Sequence, residues 1–380
     1  MLQLQTRTVF DADHSMFRDQ VRKVFERSLI PNMARWNEAG IIGRDFWLTC
    51  GEAGLLCPTV PEEFGGIGGD FRYNAVIDEE LCYIGSPAGI ILQSDVAADY
   101  LVHHGSQSQK EDWLPKMISG EAIAAVAMTE PGAGSDLQSI QTFAARDGDS
   151  YVINGSKTYI TNGQNADFII LVARTSREHS PDSISLFLVE AHRAGFSRGR
   201  NLEKIGQHAA DTSELFFSDV RVPADNLLGD EGKGFKYLMK RLPQERLSIA
   251  ICSQAAAQRA FDEAVAFTKE RKAFGRTVFD FQNTRFSLAD LAAKLQVGWA
   301  HIDWALMRHV NGVLTATEAS VAKLFHTELH WDCCDVALQL HGGAGYMEDY
   351  DIAHLWRDAR VARIFGGTSE IMKEVIGRSL

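Results

Sequence analysis

Residues 150–174 read SYVINGSKTYITNGQNADFIILVAR, and the pattern of this stretch decides the fold. Apolar and polar residues alternate along much of it, as they do in a half-buried β-strand. Two Asn-Gly pairs, at 154–155 and 162–163, are typical of the tight turns of β-hairpins. We therefore predict a compact domain of antiparallel strands here, and the flanking patterns set its limits at residues 122–232.

Helical patterns flank this β domain on both sides. Residues 1–121 place apolar side chains such as Phe17, Val21 and Phe25 on one helical face. In residues 233–380, leucines at 288, 291 and 295 begin a longer stripe, which is typical of helices that pack in a bundle. The sequence therefore predicts an α+β fold with an N-terminal helical domain, a middle antiparallel β domain and a C-terminal helix bundle.

Composition argues against several classes of protein. The chain has 38 Lys and Arg against 50 Asp and Glu, so its net charge is −12 and we expect no nucleic-acid partner. An anionic substrate stays open, because a local group of Arg or Lys can hold a phosphate. No apolar run is long enough for a membrane span, and the N-terminus lacks an apolar signal core. The six cysteines show no ligand-like spacing, so we expect reduced thiols and no metal site.

Five short motifs occur in order along the chain. They are AMTEPGAGSD (127–136), YITNG (159–163), ERKAFG (270–275), QLHGGAGY (339–346) and GGTSE (366–370). Each is a weak signal alone, because a polar turn, a surface charge or a helix cap also explains it. Together, on this helix–sheet–helix plan, they resemble the acyl-CoA dehydrogenase family over essentially the full length of the chain. The resemblance is strongest to the long-chain group, with the isovaleryl-CoA type nearby.

The resemblance implies a flavoprotein that removes two hydrogens from an acyl-CoA and yields a trans-2-enoyl-CoA. FAD would lie between the middle domain and a C-terminal four-helix bundle, and electrons would pass to an electron-transfer flavoprotein. The likeness also implies a homotetramer, a dimer of dimers, that clamps FAD between chains. A bacterial chain would work in the cytoplasm, and otherwise the expected compartment is an organelle matrix after removal of a leader.

The resemblance assigns a first group of FAD contacts near the flavin ring. Tyr159 takes a position where the family often has Trp, and it would cover one flavin face. Plain helix capping is the alternative for residues 368–370, and both roles can hold together. The group comprises Val126, Met128, Thr129, Gly134, Ser135, Tyr159, Ile160, Thr161, Thr368, Ser369 and Glu370.

A second group is implied to hold the nucleotide half of FAD across a subunit interface. Arg271 resembles the Arg that reaches the pyrophosphate of a neighbouring subunit, because a guanidinium matches paired phosphate oxygens. A solvated charge at a helix end is the alternative for this residue. The group comprises Arg271, Phe274, Gln282, Gln339, Leu340, Gly342 and Gly343.

The family's reaction needs a carboxylate that takes the α-proton while the thioester carbonyl is polarised. Many members carry this Glu at the position of Gly366, which has no side chain here. The resemblance to the long-chain and isovaleryl groups instead implies Glu245, within KRLPQERLSIA (240–250). By the same likeness, Gly366 keeps a catalytic part, because its backbone N–H would donate to the thioester oxygen.

The residues around Glu245 leave its ionisation open. Pro243 predicts a kink or a new first turn, which would place Glu245 near a helix start. Leu247 and Ile251 form an apolar face beside it, so burial should raise the pKa of the carboxyl while the helix dipole should lower it. A first-turn acid on the surface is the alternative interpretation.

The implied substrate contacts are Ser135, Tyr237, Arg246, Gly366 and Gly367. Arg246 would bind the CoA side of the substrate, and a structural ion pair is its alternative. The likeness favours a long or branched acyl chain. Two other functions stay open: a related flavin oxidase or monooxygenase, or a non-catalytic subunit that binds acyl-CoA.

Overall fold

The computed structural model describes residues 7–178 and 180–380, which form a helical region, a sheet and a second helical region. The first region supplies most of a large apolar core, with Phe25, Trp47 and Leu55 buried in it. Its helices are α1 (Ala12–Val24), α2 (Met33–Ala39), α3 (Arg44–Glu52), α4 (Phe71–Ile84), α5 (Ala98–His104) and α6 (Gln107–Ser119).

Local capping explains where several of these helices begin. The Asp11 side chain accepts from the backbone of α1, and Ser106 forms a capping box with Gln109 at the start of α6. A π-helical turn, Leu92–Ala97, runs straight into α5. This wide turn and the short helix after it form one side of the site described below.

The middle region is a seven-stranded sheet in the order β1-β4-β2-β3-β7-β6, with β5 paired to β4. It is mainly antiparallel, as predicted, but β1 runs parallel to β4. All seven residues of β4 are buried, which fits its place between neighbours on both edges. The strands are β1 (Ala124–Ala127), β2 (Phe143–Asp147), β3 (Ser150–Thr161), β4 (Phe168–Arg174), β5 (Ile184–Glu190), β6 (Phe196–Asn201) and β7 (Thr212–Pro223).

Neither Asn-Gly pair makes the predicted hairpin. Strand β3 runs on through Asn154 and Gly155, where the register against β7 shifts at a bulge. The Asn154 amide donates to Asp219 Oδ1 at 3.0 Å and so ties the bulge to β7. The pair at 162–163 does end β3 in a turn, but β3 pairs with β2 and β7 rather than with the next strand. Both hairpin predictions were therefore wrong.

The last region is built on three long helices, and α7 lies between α4 and α9. A row of buried alanines along α7 permits this close packing. A short hairpin separates α7 from α8. The elements are α7 (Gly234–Glu270), β8 (Lys272–Ala273), β9 (Arg276–Thr277), α8 (Gln282–Val310), α9 (Ala316–His341), α10 (Asp351–Ala359) and α11 (Ser369–Gly377).

Helix α7 continues through Pro243 without a break. Glu245 consequently lies about three turns inside the helix, and the prediction that it sits near a helix start was wrong. A proline inside a helix costs roughly 3 kcal/mol, and the packing of α7 against α4 and α9 outweighs that cost. The helix dipole therefore has little effect on Glu245, because that effect fades within the first turn.

Candidate active site

A cavity of about 330 Å³ lies where the three regions meet. The connection between α4 and α5 forms one wall, α7 a second, and residues from α9, α10 and the ends of β3 and β7 close the rest. The cavity brings together three residues that the sequence assigned to the site although they lie far apart in the chain. They are Thr161, Glu245 and Gly366.

Glu245 presents a carboxyl with a single hydrogen-bond donor to this cavity. Within residues 7–178 and 180–380, that donor is the Tyr100 hydroxyl, 2.9 Å from Oε1. Burial raises the pKa of Glu245, the charge of Asp99 adds to that rise, and the net value is about 7. The hydrogen bond from Tyr100 and the charge of Arg246 act in the opposite direction. Both the neutral and the ionised forms of the carboxyl are therefore accessible near neutral pH.

The loop at Gly366 lines the same cavity as Glu245, in a conformation that favours glycine. Gly366 has φ +63° and Gly367 has φ +99°, both in the left-handed region. A Cβ at 366 would lie 2.3 Å from Cδ1 of Ile249, so a side chain there would have to displace Ile249. The Lys323 ammonium holds the loop by donating to the carbonyl of Gly367 at 2.7 Å.

Arg246 lies behind this loop rather than on the surface. It is buried, its Nη1 donates to Ser320 Oγ at 3.0 Å, and its Nε has no partner among the described residues. Burial lowers the pKa of its guanidinium. The ion pair that the sequence left open is not found in the described part of the chain, and the contact with CoA stays a prediction.

The residues expected near the flavin ring lie on β1, the turn after it and the end of β3. Lys157 fixes this corner, because its ammonium donates to the Met128 carbonyl at 2.9 Å and pairs with Glu130 at 2.8 Å. Tyr159 is 68% exposed and has φ +59°. An exposed aromatic ring in a strained backbone, two residues before the cavity residue Thr161, leaves a face on which a flat ring can lie.

The turn at 131–136 is largely exposed, whereas the start of α11 is partly buried. Gly134 and Ser135 are exposed. Thr368 caps α11 by accepting from the Ile371 N–H at 3.3 Å, as the capping interpretation expects. The buried Ser369 hydroxyl has no partner among the described residues. These features leave hydrogen-bonding groups open for a large polar ligand.

The second group of predicted FAD residues lies away from the cavity. Arg271 ends α7 just before the hairpin β8–β9, and Phe274 lies in the turn of that hairpin and is 95% exposed. Gln282 begins α8 and is exposed, as are Gln339 and the glycine pair that follows α9. These residues do not line the cavity of their own chain.

Tyr237 does not line the cavity either. Its hydroxyl interacts with Asp230 at 3.1 Å, and its ring stacks on His104 with 3.9 Å between ring centres. The stack against α5 holds the ring outside this cavity, and the contact of Tyr237 with the substrate stays a prediction.

Sequence reasoning missed three residues that shape the site: Tyr100, Ile249 and Lys323. Tyr100 is 145 positions from Glu245, and no local pattern links them. Ile249 stands four residues after Glu245, so a helical reading of KRLPQERLSIA could have placed both on one face. Lys323 stands among the apolar positions of α9, and this placement could have indicated a buried cation.

None of the described helices is long and apolar enough to cross a membrane. Within residues 7–178 and 180–380, no group of three His, Cys, Asp or Glu side chains is placed to hold a metal ion.

Family models for three successive parts of one enzyme match this chain. The N-terminal domain of acyl-CoA dehydrogenase matches residues 11–121, the middle domain 125–220 and the C-terminal domain 232–380. The three matched ranges follow the helical region, the sheet and the second helical region.

Relatives and solved structures agree with these matches. The mitochondrial long-chain specific acyl-CoA dehydrogenase of Sus scrofa is 47% identical over 98% of this chain and 88% of its own. A subunit of the caffeyl-CoA reductase–Etf complex of Acetobacterium woodii is 35% identical over 98% and 99%. The crystal structure of an acyl-CoA dehydrogenase from Geobacillus kaustophilus superposes with a TM-score of 0.96, at 47% identity, over 98% and 99%.

Proposed function

The chain belongs to the acyl-CoA dehydrogenase family, the FAD-dependent oxidoreductases of fatty acid β-oxidation, and we propose that Glu245 is the base of its reaction. The observation that carries the proposal is the shared cavity: Glu245 and Gly366 both line it, and at 366 no side chain can serve. Proton abstraction from the α-carbon of an acyl-CoA then starts from a half-buried carboxylate.

The ionisation of Glu245 suits this task. A base that titrates near the working pH combines a useful ionised fraction with real proton affinity. With a pKa of about 7, Glu245 accepts a proton more readily than an exposed glutamate does. Its Oε2 has no hydrogen-bond partner within the described residues and is free to receive the α-proton.

The loop at 366–367 supplies the second catalytic group. A backbone N–H at Gly366 would donate to the thioester oxygen and stabilise the negative charge that develops there. Lys323 restrains the loop one residue further on, through the Gly367 carbonyl, so the donor is held before substrate arrives. Arg246 and Ser135 complete the proposed substrate contacts.

The residues of the first group fit FAD on three observations: the exposed ring of Tyr159, the threonine lining at the end of β3, and the unpartnered Ser369 hydroxyl. Bound FAD supplies the acceptor for the β-hydride. The protein's own part is to orient the substrate, keep water out and hold the abstracted proton on Glu245.

We assign the second group to the FAD of a neighbouring subunit in a homotetramer. Support comes from its exposure: Phe274 extends from the hairpin β8–β9 and Arg271 lies just before it, outside the cavity of their own chain. A guanidinium there would meet the pyrophosphate of a partner's FAD. We further propose domain limits at 1–121, 122–232 and 233–380.

Etf in the name of the Acetobacterium woodii relative supports an electron-transfer flavoprotein as the acceptor. The long-chain name of the Sus scrofa relative supports a long or branched acyl-CoA as substrate. Relatives occur in mitochondria and in bacteria, and we assign a bacterial chain to the cytoplasm and any other to an organelle matrix. A panel of acyl-CoAs of increasing length, scored by anaerobic bleaching of the flavin, determines the chain length.

Glu245→Gln tests the proposed base. The variant keeps the size and polarity of the side chain, so it should bind FAD and acyl-CoA. Its rate of anaerobic flavin bleaching should fall by about 10²- to 10⁴-fold, the usual contribution of a general base. Stopped-flow absorbance of the flavin measures the rate.

Glu374→Gln is the matched control, because Glu374 is an exposed carboxylate of α11 that pairs with Arg378 and has no assigned part in binding FAD or substrate. It should bleach at the wild-type rate. Glu370 is the competing candidate for the base. Wild-type bleaching by Glu245→Gln together with a large loss in Glu370→Gln would move the base to Glu370 and overturn the assignment.

A further inference from the structure

The hydrogen bond that Glu245 receives comes from a different part of the fold. Its donor, Tyr100, lies on the short helix α5, whereas Glu245 lies inside α7. We propose that Tyr100 is a positioning residue of the dehydrogenase reaction, which orients Glu245 and keeps it ionised for proton abstraction. This inference rests on the proposed role of Glu245 and names a residue that the sequence did not single out.

Two neighbouring contacts join α5 to α7 at this point. Arg241 pairs with Asp99 at 3.3 Å, and both side chains are largely buried. Tyr100 bonds Glu245, which follows Arg241 by four residues and so shares its helix face. The ion pair fixes the separation of the two helices. The helix that carries Tyr100 is therefore held in place when its hydroxyl bonds the carboxyl of Glu245.

In the hydrogen bond between Tyr100 and Glu245, the tyrosine is the donor and the carboxylate the acceptor. Tyr100 is fully buried, and burial together with the charge of Glu245 raises the pKa of its phenol well above the usual value. The hydroxyl therefore stays protonated and donates. A donor to a carboxylate stabilises the charged form, so Tyr100 opposes the burial that favours the neutral acid.

The orientation of the Glu245 carboxyl follows from which of its two oxygens accepts the hydrogen bond from Tyr100. Tyr100 holds Oε1, and no partner of Oε2 is found within residues 7–178 and 180–380. The carboxyl is then restrained in rotation while one oxygen stays open to the cavity. A base held in one geometry loses less entropy when it meets the α-proton.

Other titratable groups surround the same cavity, but none of them makes a described hydrogen bond to the carboxyl. Asp99 and Arg246 act on Glu245 through their charges, in opposite directions. Burial lowers the pKa of His330 to about 4, so this ring is neutral near pH 7. The groups that face the cavity or flank Glu245 are Cys82 of α4, Asp99 of α5, Arg241, Arg246 and Cys252 of α7, His330 of α9 and Asp358 of α10.

Tyr100→Phe removes the hydroxyl and little else. We measure the rate of anaerobic flavin bleaching by a saturating acyl-CoA from pH 5.5 to 9.5, following only the flavin that is bound. The pH at half-maximal rate should rise by about one unit, since a hydrogen bond to a charged group contributes roughly that much. At pH 7 the rate should then fall about fivefold, as the ionised fraction of the carboxyl drops.

The chain offers a matched control in Tyr151→Phe. The Tyr151 hydroxyl also donates to a carboxylate at 2.9 Å, that of Glu231, and the ring is 1% exposed. This pair lies in the β region, away from the cavity, so its loss should leave the pH profile unchanged. Tyr100→Met, a second variant without a donor, should reproduce the upward shift.

A merely structural role predicts a different result. If Tyr100→Phe and Tyr100→Met keep the wild-type midpoint, or shift no further than Tyr151→Phe, Tyr100 does not set the ionisation of the base and the inference is wrong. Failure of the proposed function is distinguishable, because it shows as wild-type bleaching by Glu245→Gln whatever the profile of Tyr100→Phe.

Discussion

Two glutamates, the buried Glu130 of the sheet region and the half-buried Glu245 of the helix bundle, have opposite surroundings. Glu130 pairs with the Lys157 ammonium at 2.8 Å and accepts from the Thr142 N–H at 2.9 Å, and these contacts hold the pKa of its carboxyl below the usual value despite burial. Glu245 receives one neutral donor, and burial raises its pKa to about 7.

The difference shows how one residue type serves structure in one place and chemistry in another. A carboxylate paired with a cation is held ionised and has little tendency to take a proton. A carboxyl with a single hydroxyl donor can gain and lose a proton near neutral pH. The cation paired with Glu130, rather than burial itself, distinguishes its structural role from the catalytic role proposed for Glu245.

Glu130→Gln should have the largest effect on folding. It leaves the fully buried Lys157 without its charge partner, and breaking such a pair costs about 3–5 kcal/mol. Because the pKa of Glu130 is lowered in the folded state, the wild-type advantage is present above about pH 4.5 and shrinks as the pH falls through the folded value. Urea unfolding of the flavin-loaded protein at pH 7 and pH 4 measures both effects.

Asp147→Asn is the control for this prediction. Asp147 pairs with Arg221 at 2.6 Å in the same sheet, but both side chains are more than half exposed. Exposed pairs contribute at most about 1 kcal/mol, so this variant should be nearly as stable as wild type. Equal losses in the two variants would contradict the role given to burial.

Glu245→Gln should change the free energy of unfolding by a smaller amount than Glu130→Gln does, and with the opposite dependence on pH. A carboxyl with a raised pKa favours the folded state below the unfolded pKa, near 4.5, and that advantage is lost as the pH rises towards the folded value of about 7. The variant should therefore match wild type at pH 4.5 and be more stable at pH 8, by roughly 1–3 kcal/mol.

The same urea titrations at pH 4.5 and pH 8 measure this gain. Glu370→Gln should not become more stable than wild type at pH 8, because a backbone hydrogen bond at the start of α11 holds the pKa of Glu370 below its usual value. A Glu245→Gln variant that is less stable than wild type at pH 8 would mean that the ionised carboxyl is stabilised in the folded protein, and the comparison with Glu130 would fail.

The order of helices, strands and helices was predictable because periodicity reflects burial on one face of each element. Two local signals in the sequence led to wrong predictions. The Asn-Gly pair at 154–155 reads as a turn, but pairing along β7 absorbs it as a bulge. Pro243 reads as a helix break, but contacts of α7 on two sides keep the helix intact. Tertiary packing overrode local preference in both cases.

The position of the acid could be inferred from sequence through the resemblance, because the glycine at 366 and the motif around 245 are both visible. The hydrogen-bond partners of that acid could not be inferred from the sequence. Tyr100 lies in a segment whose pattern shows only a helix, and its contact with Glu245 depends on how α5 docks on α7. Tyr237, by contrast, is near the site in sequence but stacks on His104 outside the cavity.

The central claim is that Glu245 removes the α-proton, and solvent-deuterium exchange tests it without hydride transfer. Flavin-reduced protein is incubated with acyl-CoA in D₂O, and mass spectrometry counts the deuterium gained by the acyl chain. Wild type should exchange one α-hydrogen, while Glu245→Gln should exchange no faster than buffer. Exchange by Glu245→Gln at the wild-type rate would contradict the account.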